Sequence, residues 1–241
     1  MIRIAFILFL IFSLRGTEGI GQEISASELL DKAIGYHDPY QEWKDFRGTL
    51  SVILKTPQAE DRISDITLDF PKAYFKLTVQ KEGNSVAYTI AENECTLALN
   101  GSTAISNEDR EAFNLSCDRA HMMKDYYTYL YGLPMKLRDP GTRLDPLVQK
   151  KKFLGKTYFV LKVTYDASVG SDTWYFYINP TTYALEGYQF FKDEAKNDGE
   201  YIVLSGEEQI KGMRIPKNRA WYYNKDDGYL GTDVLTKITT E

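Results

Sequence analysis

The chain predicts a mainly β fold: a curved, open, antiparallel half-barrel of about eleven strands, with an N-terminal helix and a helical insert covering the concave face. Three observations predict it. Apolar residues recur with period two in segment after segment, the spacing of a strand with one wet face. The connections between these segments are too short for crossover helices, so neighbouring strands run antiparallel. The alternation breaks once, over residues 106–140, where apolar and tyrosine residues fall at helical spacing instead.

The chain starts with an export signal. Met1, Ile2 and Arg3 lead into the uncharged run from Ile4 to Leu14, which is too short for a membrane-spanning helix of about 20 residues. Gly19 and Gly21 place small residues where a signal peptidase reads, so residues 1–21 read as a cleaved signal peptide and 22–241 as a single domain. No Cys lies near the cleavage site, so the mature chain is expected without a lipid anchor, in the periplasm or secreted. Losing Arg3, Arg15 and Glu18 removes a net +1, which moves the formal charge from -5 to -6. An acidic chain of this kind lacks the basic footprint of a nucleic-acid binder.

Ser25 and Glu28 have capping-box spacing, Leu29, Leu30, Ala33 and Ile34 follow at helical period, and Gly35 and Pro39 end the helix. From Asp45 the period changes to two, with Phe46, Leu50, Val52 and Leu54 on one face. The alternation recurs in Ile66, Leu68 and Phe70, in Ala73, Phe75, Leu77 and Val79, in Val86, Tyr88 and Ile90, and in Leu97 and Leu99. The insert opens with Asn107 as N-cap, and a second helix runs from Asp118 until Gly132 and Pro134 stop it. A loop from Leu133 to Thr142 follows. Strands then resume around 148–153, 157–165, 173–179, 183–192, 200–207, 214–224 and 229–239, with hairpin turns signalled by Asp198-Gly199 and Asp227-Gly228. Lys150, Lys151 and Lys152 mark a solvated strand edge.

Cys95 and Cys117 are an even pair in an oxidising compartment, so one disulfide is expected, the alternative being two buried free thiols. Catalytic chemistry is thin. There is no G-x-S-x-G elbow and no H-E-x-x-H motif, and neither cysteine has the neighbours of a zinc site, so no metal, cofactor or catalytic residue is assigned. Gly155, Lys156 and Thr157 resemble the end of a phosphate loop but sit between two strands, as a hairpin turn does. His37 with Asp38 reads as a helix end before Pro39, the other reading being an oriented base.

The informative residues are aromatic. Trp174, Phe176 and Ile178 alternate with Tyr175 and Tyr177, so this strand is bulky on both faces, and Trp221, Tyr222 and Tyr223 repeat the effect. Such a sheet must be covered on both sides, by the insert or a ligand on one face and by amphipathic tyrosines on the other. Phe75, Leu77, Trp174 and Phe176 on the sheet, facing Met122, Tyr126, Tyr129 and Leu133 on the insert, are the candidate ligand-binding residues. Lys136, Arg138 and Asp139 are candidates for a lid loop at the mouth.

The order of elements resembles the periplasmic lipoprotein carriers of the Lol type (LolA and LolB), an open sheet with helices plugging its concave side. The segments YHDPYQEW at 36–43, YGLPMKLRDPGT at 131–142 and DEAKNDGEY at 193–201 are similar to an uncharacterised family of exported proteins in Gram-negative bacteria. The Lol resemblance implies a hydrophobic cavity between sheet and helices that shelters an acyl chain. The expected function is therefore non-catalytic binding of a lipid or lipoprotein acyl chain by a monomer. The competing expectation is a structural or protein-interaction module of the envelope whose sheet is filled by its own side chains.

Overall fold

The computed structural model describes residues 24–92 and 94–240; the signal peptide read at 1–21 lies outside the described residues. Thirteen strands form a single antiparallel sheet. In chain order they are β1 (Arg47–Thr56), β2 (Ala59–Asp69), β3 (Tyr74–Lys81), β4 (Asn84–Ala91), β5 (Glu94–Leu99), β6 (Thr142–Leu144), β7 (Gln149–Phe153), β8 (Lys156–Tyr165), β9 (Thr173–Ile178), β10 (Leu185–Phe191), β11 (Glu200–Ile210), β12 (Met213–Tyr223) and β13 (Tyr229–Thr240). Three helices join them, α1 (Ala26–His37), α2 (Asn107–Ala112) and α3 (Cys117–Tyr131).

The strand order is β5-β4-β3-β2-β1-β13-β12-β11-β10-β9-β8-β6, with β7 also pairing β8. The sheet stays open. β5 ends one edge and β6 and β7 end the other, so the insert carries the chain from edge to edge and must cross a face. That crossing explains the curvature. α3 packs on β3, β4 and β5, yet Tyr129 of α3 also meets Trp174 of β9, ring centroids 5.5 Å apart. On a flat sheet β4 and β9 would lie roughly 38 Å apart, while a helix is about 10 Å wide, so the sheet curls around α3.

Where the sequence was expected to give about eleven strands, it gives thirteen. β6 is a three-residue edge strand within what reads as loop, and β2 starts at Ala59, ahead of its first alternating residues. The caps differ by one residue. Ser106, rather than Asn107, accepts the Asp109 amide at the start of α2, and Ser116 accepts the Arg119 amide ahead of α3. The buried stripe of α3 is Ala120, Tyr127, Leu130 and Tyr131, which leaves Met122 and Tyr126 on its more exposed side.

One continuous core lies between the concave face and the helices, built from residues such as Leu50, Ile66, Phe75, Phe176, Tyr188 and Ile202. The convex face carries a second, smaller cluster of Tyr158, Val160, Tyr175 and Tyr177. These tyrosines are amphipathic. Their rings are covered by neighbours including Phe153, stacked 4.1 Å from Tyr177, while their hydroxyls donate to Glu186 (2.9 Å, from Tyr158), Gln189 (2.6 Å, from Tyr177) and Glu194 (from Tyr175). Lys151 of the edge strand β7 lies 4.1 Å over the Tyr175 ring. The two bulky faces of β9 therefore have different covers, and only the concave one faces the insert.

Cys95 of β5 and Cys117 at the start of α3 form the disulfide. The Gly155 segment is a hairpin turn between β7 and β8, with Leu154 and Gly155 both left-handed.

Candidate functional site

α1 and α3 divide the concave face between them. β12 meets α1 near Arg214, whose carbonyl accepts a hydrogen bond from His37 Nδ1 (2.7 Å), and reaches the space beneath α3 at Trp221. β10 does the same, meeting His37 at Leu185 and that space at Phe190. Under α3 the face is not filled. A cavity of about 1090 Å³ remains between α3, the ends of β1, β2 and β9–β13, and the loops at 136–142 and 165–172. That is just above the usual size range of small-molecule sites, about 300–1,000 Å³.

Its wall is aromatic. Tyr126 of α3 lies parallel to Trp221 at 6.4 Å, Tyr129 stands edge-on to Trp174, and Trp174 stacks on Phe190 at 4.9 Å. The Tyr129 hydroxyl bonds that of Tyr165, whose ionisation burial pushes up to about 12, and burial raises Tyr126 and Tyr129 as well. All three stay neutral at physiological pH and serve as walls and hydrogen-bonding groups. Met122 (50 % exposed) and Val169 (57 % exposed) mark the mouth.

The floor is charged, and strand register places the charges. Arg62 of β2 faces Leu54 of β1, Leu54 faces Asp233 of β13, and Asp233 faces Arg219 of β12, so the four form one row across neighbouring strands. Asp233 (6 % exposed) accepts a hydrogen bond from Trp221 Nε1 at 2.9 Å. Burial raises its carboxyl above the usual range, against the Trp221 bond and the fields of Arg62 and Arg219. Arg219 (1 % exposed) donates to the Pro216 carbonyl (2.8 Å) and the Leu130 carbonyl near the end of α3 (3.4 Å), with its guanidinium 3.8 Å over the Tyr131 ring. Among the described residues, Arg62 Nε, Arg219 Nε and the hydroxyls of Tyr131 and Tyr188 are buried without a hydrogen-bond partner.

A second cavity of about 240 Å³ lies on the other side of α3, lined by Met123 and Tyr127 where the first is lined by Met122 and Tyr126. Arg62 lines both.

Met122, Tyr126, Tyr129, Trp174, Lys136 and Asp139 all line the large cavity, with Lys136 ion-paired to Asp139. Phe75, Leu133 and Phe176 do not. They are packed in the core beside the cavity, and Leu77 lines only the smaller one. Arg138 is also away from the mouth: its guanidinium reaches α1, donating to the Ser27 carbonyl (3.2 Å) and to Asp31, so it fastens the loop to the N-terminal helix. His37 and Asp38 are structural. Nε2 of His37 accepts from the Leu185 amide (2.9 Å), which leaves the proton on Nδ1, while Asp38 caps the Glu42 and Trp43 amides at 2.8 and 3.0 Å. Sequence reasoning missed Arg62, Asp233 and Tyr165, and marked Trp221 as a bulky strand residue without assigning it to the site. The usable signal for the first two was a charge on a strand at the phase that points inward.

Among the described residues no group of His, Cys, Asp and Glu is arranged to hold a metal, and no helix is long and apolar enough to cross a membrane. Among solved structures, the chain is similar to a LolA superfamily protein from Nitrosomonas europaea, with 11% identity, coverage of 90% of this chain and 94% of that one, and a TM-score of 0.53. At that identity the likeness is one of fold. Further similar structures are a putative outer membrane lipoprotein-sorting protein domain from Vibrio parahaemolyticus (13% identity, 89% and 91% covered, TM-score 0.48) and a DUF1329 family protein from Desulfovibrio piger (11%, 89% and 92%, 0.48). No curated protein matches the sequence. Over residues 3–238 the sequence matches a family of unknown function, DUF6503, and the chain belongs to that family.

Proposed function

We propose that this protein is a non-catalytic carrier, exported to the periplasm after cleavage of residues 1–21, that holds a lipid or other long apolar ligand between α3 and the sheet. The observation that carries this reading is the cavity of about 1090 Å³ walled by Trp174, Phe190, Trp221, Tyr126 and Tyr129. A sheet that packed its own side chains against α3 would bury these rings against one another, because interiors close to near-crystalline density. The fold likeness to the LolA superfamily structure supports the reading. So does the setting of His37, both of whose ring nitrogens are taken up by backbone groups.

Native mass spectrometry and lipid extraction of protein purified from its own envelope test it. Retention of a stoichiometric apolar species is expected. Protein that is reproducibly empty, and that binds no long-chain amphiphile when offered one, would overturn the proposal in favour of an envelope scaffold or interaction module.

A further inference from the structure

The large cavity has an acidic mouth and a cationic interior. Asp125, Asp139, Asp172 and Glu200 line it, and Asp125 and Asp139 are exposed. Inside, the charged row holds two guanidinium groups, Arg62 and Arg219, against the single carboxylate of Asp233. Arg219 is committed to carbonyls and to Tyr131, sealed beneath α3. Arg62 is not. It meets the Tyr127 hydroxyl but forms no ion pair with a described residue, its Nε has no acceptor, and register sets it two strands from Asp233, about 10 Å away. A buried donor left unmet costs about 1–3 kcal/mol, which a ligand acceptor would recover.

Position adds the second argument. Arg62 lines both cavities and is the residue their linings share, so it stands between the two under α3. The smaller cavity continues the cationic field. Of its charged residues Lys81 is paired with Glu82, which leaves Arg119 and Arg62 in excess. A guanidinium in such a place matches a carboxylate or phosphate through paired N–H donors, as an ammonium does not.

We propose that Arg62 anchors the anionic head of an amphiphile, a carboxylate or a phosphate, where the two cavities join, with the chain lying back along the aromatic wall towards the mouth. This rests on the carrier reading and sets its ligand class and orientation. The head goes in first. An anionic head at the rim would face Asp125 and the mutually neutralising Asp139–Lys136 pair, whereas at Arg62 it meets a cation of the wall that has no ion-pair partner among the described residues.

Isothermal titration calorimetry with four twelve-carbon probes below their micelle concentrations, dodecanoate, dodecyl phosphate, dodecanol and dodecylamine, tests it. In the natural protein at least one anionic probe is expected to bind about tenfold or more tightly than dodecanol, the scale of a charge-assisted hydrogen bond. Whether dodecanoate or dodecyl phosphate leads assigns the head. Arg62→Met should abolish that advantage, so that within the variant the anionic probes bind no more tightly than dodecanol. Arg62→Lys, which keeps the charge without Nε–H, should lower it about threefold or more, and decides the matter if the Met variant does not fold. Equal binding of dodecanol and both anions, an advantage that survives both substitutions, or preference for dodecylamine would overturn the assignment to Arg62 while the carrier reading stands. If none of the four binds, the carrier reading falls and the anchor with it.

Discussion

The two ends of the concave face are built from the same strands and obey different rules. Beneath α1 the inward residues are spent on packing: Leu29, Leu30, Ala33, Met213 and Ile215 are all but inaccessible, and the ionisable side chains drawn in are tied to backbone, His37 through both ring nitrogens and Asp38 through the Glu42 and Trp43 amides. Beneath α3 the strands carry Trp174, Phe190 and Trp221 around open space, with Arg62, Asp233 and Arg219 on the floor and donors left unmet. The filled scaffold and the container are thus two halves of one sheet. The difference teaches that stability and binding are separable here, because the end that holds the molecule together contributes nothing to the cavity wall.

Large-to-small substitutions should break or sustain that comparison most visibly. Leu30→Ala, at a fully buried site under α1, is expected to cost about 3–4 kcal/mol by denaturant unfolding, the transfer loss plus the cavity left behind. It should leave amphiphile binding unchanged in whatever fraction remains folded. A loss below 1 kcal/mol would mean that the α1 end is as loosely packed as the α3 end.

The next effect concerns how α3 is held. The disulfide ties the start of α3 to β5 across a sequence separation of 22, and Arg219 holds the other end through the Leu130 carbonyl. Replacing Cys95 and Cys117 by Ser should lower stability by about 3 kcal/mol on the loop-entropy account. Because the tether lies at the container end, faster ligand exchange should accompany the loss, measured by stopped-flow displacement of a fluorescent fatty acid.

Acid should push the two ends in opposite directions. Burial holds the His37 imidazole below its usual 6.5, so the folded state binds fewer protons than the unfolded one as pH falls past that value. Its contribution is whole above about pH 6.5 and is lost on the way down to the folded pKa, at up to about 1.4 kcal/mol per pH unit. Burial raises Asp233, and that contribution has the other sign, full at low pH and lost as pH rises through the folded pKa. Between pH 7.5 and 5 melting temperatures should therefore fall less steeply for His37→Gln than for the natural protein, and as pH falls on towards 3.8, the ordinary carboxyl value, they should fall more steeply for Asp233→Asn. Parallel slopes in all three would show that neither group is coupled to folding.

Much of the fold was legible because its signals are local. Phe46 to Leu54 and Phe75 to Val79 alternate cleanly, and the turn residues close their hairpins within a few positions. β6 was not, since three residues at a sheet edge carry too little pattern to separate from a loop. The site divides the same way. Its aromatic wall was visible in Tyr126, Tyr129 and Trp174, residues whose bulk is informative wherever they lie. Its charged floor was hidden, because alternation says which residues of one strand share a face and nothing about which strands lie side by side. Arg62 and Asp233 come into one row only because β13 returns to pair with β1, a pairing of the chain's first and last strands that no short-range pattern announces.

The smallest stability effect and the sharpest test belong to Tyr126. It is 39 % exposed on α3, yet its ring lies parallel to Trp221 and lines the cavity. A residue so placed loses little when truncated in the unliganded protein, so Tyr126→Ala should cost less than about 1 kcal/mol. With ligand bound the ring and Trp221 would flank the chain, and burying an aromatic face of that size against apolar carbons contributes about 1.5–3 kcal/mol. Dodecanol affinity should therefore drop by about tenfold or more while the melting temperature barely moves. The reverse result, a protein destabilised as much as by Leu30→Ala but binding normally, would make Tyr126 part of a filled core and erase the distinction between the two ends.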